Sequence, residues 1–408
     1  MKKKICIICS AKLPQPPVLG GAVPTLIQHI VDTNEIKKEI DLTCFSLWNE
    51  KALKISDSFS NTHFEYAKVS KIRFILDALI TFFLNLIKKT NKIYSWGFLF
   101  RTLGFKRKVE KYLMHNDFDF VVFENSIPVL LCLKNKKLIN KYNGRIIYHT
   151  HCVPRNIAGS GRVLSLCKSV ICVSRYIEEN TKKRFAKYNL NTCVLYNCVD
   201  TNIFKYVDDI SKLKWREKNG LLKNDFVVGF IGRLSKDKGL IQLIEAIKLL
   251  DDPQIKLVIA GSTFYDSNVK DKFSKYLSEI SYSIKDRIVF TGYMQNELTP
   301  LFYSGCDVIC LPPIWEEPGA VTNIEASACG CAIISTDSGG NKEYIGERAI
   351  ILPKNDLALL SRLIAESILS LKNDETLRKD LSDKAYKWGS KQTKEEYYLR
   401  FLNILKEL

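Results

Sequence analysis

No run of 18 uncharged apolar residues occurs in the 408-residue chain, which excludes an obvious membrane-spanning helix. The apolar stretch after Lys2-Lys3-Lys4 is only Ile5 to Cys9, too short for the core of a signal peptide, and reads as a first buried strand. No GxGxxG follows a strand-like run, which argues against a nicotinamide enzyme, and no GxxxxGK[ST] marks a P-loop. Internal repeats and low-complexity segments are also missing. Cys6 and Cys9 form a CxxC without a second ligand pair at zinc-like spacing, and on a strand positions i and i+3 face opposite sides. The 13 cysteines fall mostly in apolar runs, as small core residues in a reducing compartment.

Acidic residues are scarce in one half only. Residues 1–195 hold 32 Lys+Arg against 14 Asp+Glu, and the remaining 29 basic and 30 acidic residues nearly cancel. The whole excess of +17 therefore belongs to the first half, and it calls for an anionic partner there. Nucleic acid would account for the charge, but no nucleic-acid-binding motif or aromatic-basic alternation accompanies it.

What is present is an alternation of short apolar runs with helical patterns, repeated twice. Strands are expected at Lys4–Ser10, Asp41–Leu47, Asp119–Glu124, Arg145–Thr150 and Val170–Val173. In the second half they are expected at Phe226–Gly232, Ile255–Ala260, Arg287–Thr291, Asp307–Leu311 and Ala332–Ser335. Continuous hydrophobic runs fit parallel strands covered on both faces. Helices fall between them, at Ala22–Val31, Arg175–Tyr188, Leu240–Leu250, Asn268–Ile284 and Leu357–Leu371. The expected class is α/β, with two doubly wound, Rossmann-like domains facing a central cleft. The domains run 1–196 and 197–390, and an amphipathic terminal helix within 391–408 packs back toward the first.

Ligands of such sheets bind beyond the carboxyl ends of strands, so three strand-to-helix turns draw notice. In WEEPGAVTNIEASACG, Glu317 precedes a Pro-Gly break and Glu325 lies inside a short apolar helix. Unpaired amides at Ala320 to Thr322 would form an anion site, with Glu325 leaning back toward it and Glu317 approaching from the loop. Two carboxylates flanking an anion suit the hydroxyls of a nucleotide sugar. The second turn, GRLSKDKG, places Arg233 and Lys238 where a diphosphate could be held. The third, PPVLGGA, has Gly20 and Gly21, which allow close backbone approach to a phosphate or sugar.

Together these turns resemble the retaining family-4 glycosyltransferases of the GT-B fold, most strongly from Phe226 to Ile345. The E-x7-E signature is present as Glu317 and Glu325. The resemblance implies that Glu317 contacts the transferred sugar and Glu325 the ribose, while Arg233, Lys238 and the amides after Gly319 (Ala320, Val321 and Thr322) hold the diphosphate. Asn197-Cys198-Val199-Asp200 matches an N-G-V-D joint with cysteine in place of glycine, and Pro313 replaces the usual serine. The family's N-domain histidine corresponds to His149, with His151 as the close alternative. A metal-independent, front-face displacement follows from the resemblance. No cofactor is implied, because the nucleotide sugar is the co-substrate, with UDP favoured. Asp117-Phe118-Asp119 spells a DxD, but it precedes a strand in the basic half and reads as structural.

The resemblance further implies a saccharide or lipid-linked acceptor, in surface-polysaccharide or lipopolysaccharide synthesis, and a cytoplasmic enzyme peripheral to the membrane. An epimerase of the same fold is the rival enzyme reading. Between Tyr66 and Leu113, eleven Lys/Arg face two acids, Asp77 and Glu110. They surround an apolar segment, Ile72–Ile87, and suit an anionic membrane surface. The plainer reading of that segment by itself is a core helix of the first domain.

Overall fold

The computed structural model describes residues 2–86, 98–261 and 272–408. Ile87, Lys88, Lys89, Lys92 and Trp96, and the start of the helix expected from Asn268, lie outside the described residues. The chain divides into two compact units. One comprises Met1–Tyr196 together with Tyr398–Leu408, and the other is Asn197–Tyr397.

The N-terminal unit is built on a parallel sheet of strands β1 (Lys3–Ile8), β2 (Ile40–Leu47), β3 (Thr62–Ala67), β4 (Phe120–Glu124), β5 (Ile146–Thr150), β6 (Ser169–Cys172) and β7 (Thr192–Val194), in the order β3-β2-β1-β4-β5-β6-β7. β1 is buried throughout Ile5–Ile8, and β4 and β5 are buried along their whole lengths. That burial on both faces is why these segments read as unbroken apolar runs. The returning segment begins at Tyr398 rather than at residue 391. It is fastened by the Tyr398 hydroxyl, which lies 2.8 Å from Asn34 Oδ1, and by Lys3 Nζ donating to the Leu405 carbonyl at 3.2 Å.

The second unit holds β8 (Phe226–Ile231), β9 (Ile255–Ala260), β10 (Ile288–Gly292), β11 (Val308–Leu311), β12 (Ala332–Thr336) and β13 (Ile350–Leu352), in the order β10-β9-β8-β11-β12-β13. In both sheets the order reverses beside the first strand, between β1 and β4 and between β8 and β11. In open α/β sheets such a reversal is where ligands bind, beyond the carboxyl ends of the strands.

The helix Lys71–Leu86 corrects the core-helix reading. Its Asp77 is buried and accepts from the amides of Phe100 (2.8 Å) and Arg101 (3.1 Å), which begin the helix Leu99–His115. Arg73 donates to the Phe100 carbonyl at 2.9 Å. Asp77 is thus the buried position, and Arg73, Leu76, Ile80 and Leu84 beside it are half-buried. Ile72, Ile75, Leu79, Phe82, Phe83 and Leu86, spaced at helical intervals, face outward, and Phe82 and Phe83 are 59% and 62% exposed.

All 13 cysteines are free thiols, and Cys6 and Cys9 are both buried. Asp117 pairs with Arg145 at 3.2 Å, and Asp119 accepts from the Lys4 amide at 2.7 Å, so the DxD serves to fix a strand end.

Candidate functional site

In the second unit the loops after β8 and β11 lie side by side at the sheet's reversal. The Ile314 amide donates to the Asp237 carbonyl at 2.9 Å. Gly239, with φ of 70°, closes the first loop, and a Cβ there would stand 1.8 Å from the Pro312 carbonyl oxygen. Only glycine permits that approach. The contact carries Lys238 to Glu317: Lys238 Nζ donates to Glu317 Oε2 at 2.6 Å, and the Trp315 indole N–H donates to the same oxygen at 3.0 Å. Lys238 also sits over the Trp315 ring, 5.5 Å from its centroid. Glu317 is buried, and its backbone is pinned by the turn after β12. Its amide donates to Ser338 Oγ at 3.1 Å and its carbonyl accepts from Gly340 at 2.8 Å.

Gly319 packs against Tyr344, whose ring leaves no room for a Cβ, and its carbonyl accepts from Asn197 Nδ2 at 2.9 Å. Asn197 therefore connects the N-C-V-D joint directly to the loop that precedes the helix Val321–Ala328. Ala320 occupies the N-cap with no side-chain cap bond, which leaves the first amides, at Val321 and Thr322, for an outside acceptor. Gly330 follows the helix with φ of 72°.

Glu325, on the second turn of that helix, is half-buried, and its Oε2 accepts from the Tyr303 hydroxyl at 2.6 Å. Burial pushes its carboxyl up to about 7, against the opposing pull of the Tyr303 bond. Burial, together with the neighbouring carboxylate, holds the Tyr303 hydroxyl well above its ordinary value. Arg233 does not join the Lys238–Glu317 cluster. It is partly exposed and pairs with Asp237 at 3.4 Å.

In the N-terminal unit, Gly20 and Gly21 take φ of 68° and 106°, and Gly21 caps the helix Ala22–Lys37. Glu124 ends β4 and is the register partner of His149 on β5. His149 Nδ1 lies 3.0 Å from Glu124 Oε1, and His151 Nε2 lies 3.1 Å from Glu124 Oε2. Burial would raise the Glu124 carboxyl, but the two imidazoles outweigh it and hold it at about 2. Burial and the neighbouring His149 push His151 below its ordinary value.

Among the described residues, Glu124, His149 and His151 are the set whose ligand atoms, all within 4.8 Å of one another, could hold a metal. A histidine bound to metal through Nδ1 normally donates its other ring N–H to a second partner. Nε2 of His149 is buried with no partner, so the geometry fits hydrogen bonding better than coordination.

Glu124 and Tyr303 were not singled out from the sequence. A carboxylate closing the buried strand FVVFE was a readable signal; Tyr303, inside an apolar helix, gave none.

Residues 211–388 match the family model of the glycosyl transferases group 1. The putative glycosyltransferase YtcC of Bacillus subtilis is 26% identical, with 84% of this chain and 77% of that protein aligned. The lipopolysaccharide 1,2-N-acetylglucosaminetransferase of Salmonella typhimurium is 21% identical over 85% of this chain and 83% of its own length. The Anabaena protein HepE, solved in complex with UDP-glucose, superposes with a TM-score of 0.70 at 18% identity, covering 100% of both chains. With a group 1 domain over most of its second unit, glycosyltransferase relatives and two parallel sheets of seven and six strands that match those of GT-B structures, the chain is a glycosyltransferase of the GT-B fold.

Proposed function

We propose that the protein transfers a hexosyl or N-acetylhexosaminyl group from a nucleotide sugar to a saccharide or lipid-linked acceptor, with retention at the anomeric carbon. A UDP-sugar is the favoured donor; HepE, of the same fold, was solved with UDP-glucose. The observation that carries the reading is the Lys238–Glu317 pair at the reversal of the second sheet, with Glu325 eight residues further on.

In this reading the uncapped amides at Val321 and Thr322, Lys238 and Arg233 stabilise charge that grows on the departing diphosphate. Arg233 would leave Asp237 to do so. Glu317, desolvated and anchored through its backbone, faces the transferred sugar, and Glu325 faces the ribose hydroxyls. The bond from the anomeric carbon to the phosphate oxygen breaks, and the acceptor oxygen bonds to that carbon from the same face. The acceptor's proton then has the leaving phosphate oxygen as its nearest base. Positive charge in this loop can do the electrostatic work of a metal.

The N-terminal unit supplies the acceptor side and, we propose, docks on an anionic membrane surface. The outward apolar stripe of Lys71–Leu86 and the surrounding basic residues support this reading. No helix among the described residues is long and apolar enough to cross a membrane.

Incubation with a panel of nucleotide sugars, with and without saccharide acceptors, tests the reaction. The expected result is nucleotide release that rises with an acceptor and falls at least tenfold in Lys238→Ala, and that survives EDTA. Conversion of the donor to an epimer with no acceptor present would establish the rival reaction instead.

A further inference from the structure

The helix Leu99–His115 carries Lys108, Lys111, Tyr112 and His115 at i, i+3, i+4 and i+7, which is one face of a helix. Phe105, Val109 and Leu113 lie on another face and are fully buried. The first face lines an open groove of about 600 Å³ at the β3 edge of the first sheet. That volume falls in the roughly 300–1,000 Å³ range of small-ligand sites. Phe45, on β2, lines it too, with its ring centroid 4.8 Å from that of Tyr112. Trp48, just past the carboxyl end of β2, adds a third ring. Its amide is tied to the Ala67 carbonyl at 3.1 Å, yet the residue stays 39% exposed. Lys68, Lys108 and Lys111 bring three ammonium groups to the groove, and among the described residues none of them pairs with a carboxylate. Lys68 Nζ stands 5.1 Å from the Trp48 ring centroid, and Glu65, the register partner of Phe45, supplies one carboxylate. None of these residues belongs to the turns that face the nucleotide sugar.

We propose that this groove binds an anionic oligosaccharide, a short run of sugar units that carry carboxylate or phosphate groups. Aromatic rings such as Trp48 and Tyr112 cover the C–H faces of pyranose rings, and the lysines take the anionic groups as point charges. Glu65, which only accepts when ionised, selects sugar hydroxyls that can donate to it. The same carboxylate argues against the other anionic occupants. A nucleic-acid strand would carry a phosphate at every step past Glu65, and a lipid tail would lie against it and three ammonium groups. The inference takes from the glycosyl-transfer reading only that such a chain is the acceptor.

Isothermal titration of the full chain with trigalacturonate, at neutral pH and low salt and without a nucleotide sugar, tests the binding. The expected result is saturable binding that weakens as salt rises. Maltotriose, a neutral trisaccharide, should bind at least tenfold more weakly. Trp48→Ala and Lys111→Glu should each lower trigalacturonate affinity at least tenfold. Trp48→Phe, which keeps a ring, should retain most of it and so separate stacking from a folding defect. Lys183→Glu makes the same charge change at an exposed position on the helix Arg175–Arg184 and should stay within twofold of the parent. Absence of saturable binding would overturn the proposal, as would parent-like affinity in Trp48→Ala or Lys111→Glu. An equal loss in Lys183→Glu would reduce the effect to overall charge and overturn it too. Tighter binding of single-stranded oligothymidylate, lost in Trp48→Ala, would give the groove to nucleic acid instead. Failure to bind with transfer intact sinks the groove alone, whereas binding without any sugar transfer sinks only the transfer reading.

Discussion

Glu317 and Glu325 are the same residue type in one signature, yet their surroundings set them apart. Glu317 accepts from an ammonium and an indole, both directed at one oxygen. Among the described residues the Glu325 carboxylate accepts from the Tyr303 hydroxyl, and burial raises its carboxyl from the usual 4.5 to about 7. The folded chain therefore holds a proton on Glu325 that the unfolded chain has already released between about pH 4.5 and pH 7. Stability should fall as pH rises through that window, and level off above it. A shift of this size is worth on the order of 2–3 kcal/mol, discounted for partial exposure. Glu325→Gln cannot titrate, so the melting temperature of the parent relative to this variant should drop by roughly 4–8 °C between pH 5 and pH 8. A difference that stays constant across that range would show that Glu325 is not desolvated in the folded protein. Such a carboxyl suits a ligand site: ionised and paired with hydroxyls it recovers in the complex what it loses in the empty protein.

At the scale of elements, the helix Lys71–Leu86 is fastened by Arg73 and Asp77, with Leu76, Ile80 and Leu84 half-buried beside them, and turns an apolar stripe outward. Arg101 covers part of it, 4.4 Å from the Phe74 ring centroid. Binding to vesicles with anionic lipid should have two parts that can be separated. Replacing Lys106, Arg107 and Lys108 by glutamate should remove most of the salt-sensitive part, at about 1 kcal/mol for each basic residue near the surface. Replacing Phe82 and Phe83 by aspartate should weaken binding at least tenfold at every salt concentration. Equal recovery in the supernatant with anionic and neutral vesicles at low salt would remove the membrane from the account. This helix also shows what periodicity conveys: it identifies an apolar face but not whether protein or something else covers it. The strands Phe226–Ile231 and Ile255–Ala260 were legible because burial on both faces leaves an unbroken apolar run. Thr62–Ala67, an edge strand with alternating exposure, went unread, as did Thr192–Val194 and Ile350–Leu352, which are three residues each.

For the whole molecule, two sheets with the same reversal of strand order place the chemistry-bearing residues beyond the ends of β4, β5, β8 and β11. The turns after β1, β8 and β11 stand out in the sequence because glycine, proline and charge interrupt the apolar runs there. Partnerships such as Glu124 with two histidines, Tyr303 with Glu325, or Asn197 with Gly319 are created by folding and span 22 to 122 residues. No local pattern encodes them. The central claim is that the second unit holds a nucleotide sugar between two carboxylates with separate tasks. Isothermal titration at pH 8, where Glu325 is ionised, with UDP and with a UDP-sugar that the release assay has identified, tests it most directly. Each lost hydrogen bond to a charged group should cost about 1.5–3 kcal/mol, roughly ten- to a hundredfold in affinity. Glu325→Ala should weaken both ligands by that factor, whereas Glu317→Ala should weaken the UDP-sugar and spare UDP. If both variants bound both ligands as tightly as the parent, the two-carboxylate site would be wrong.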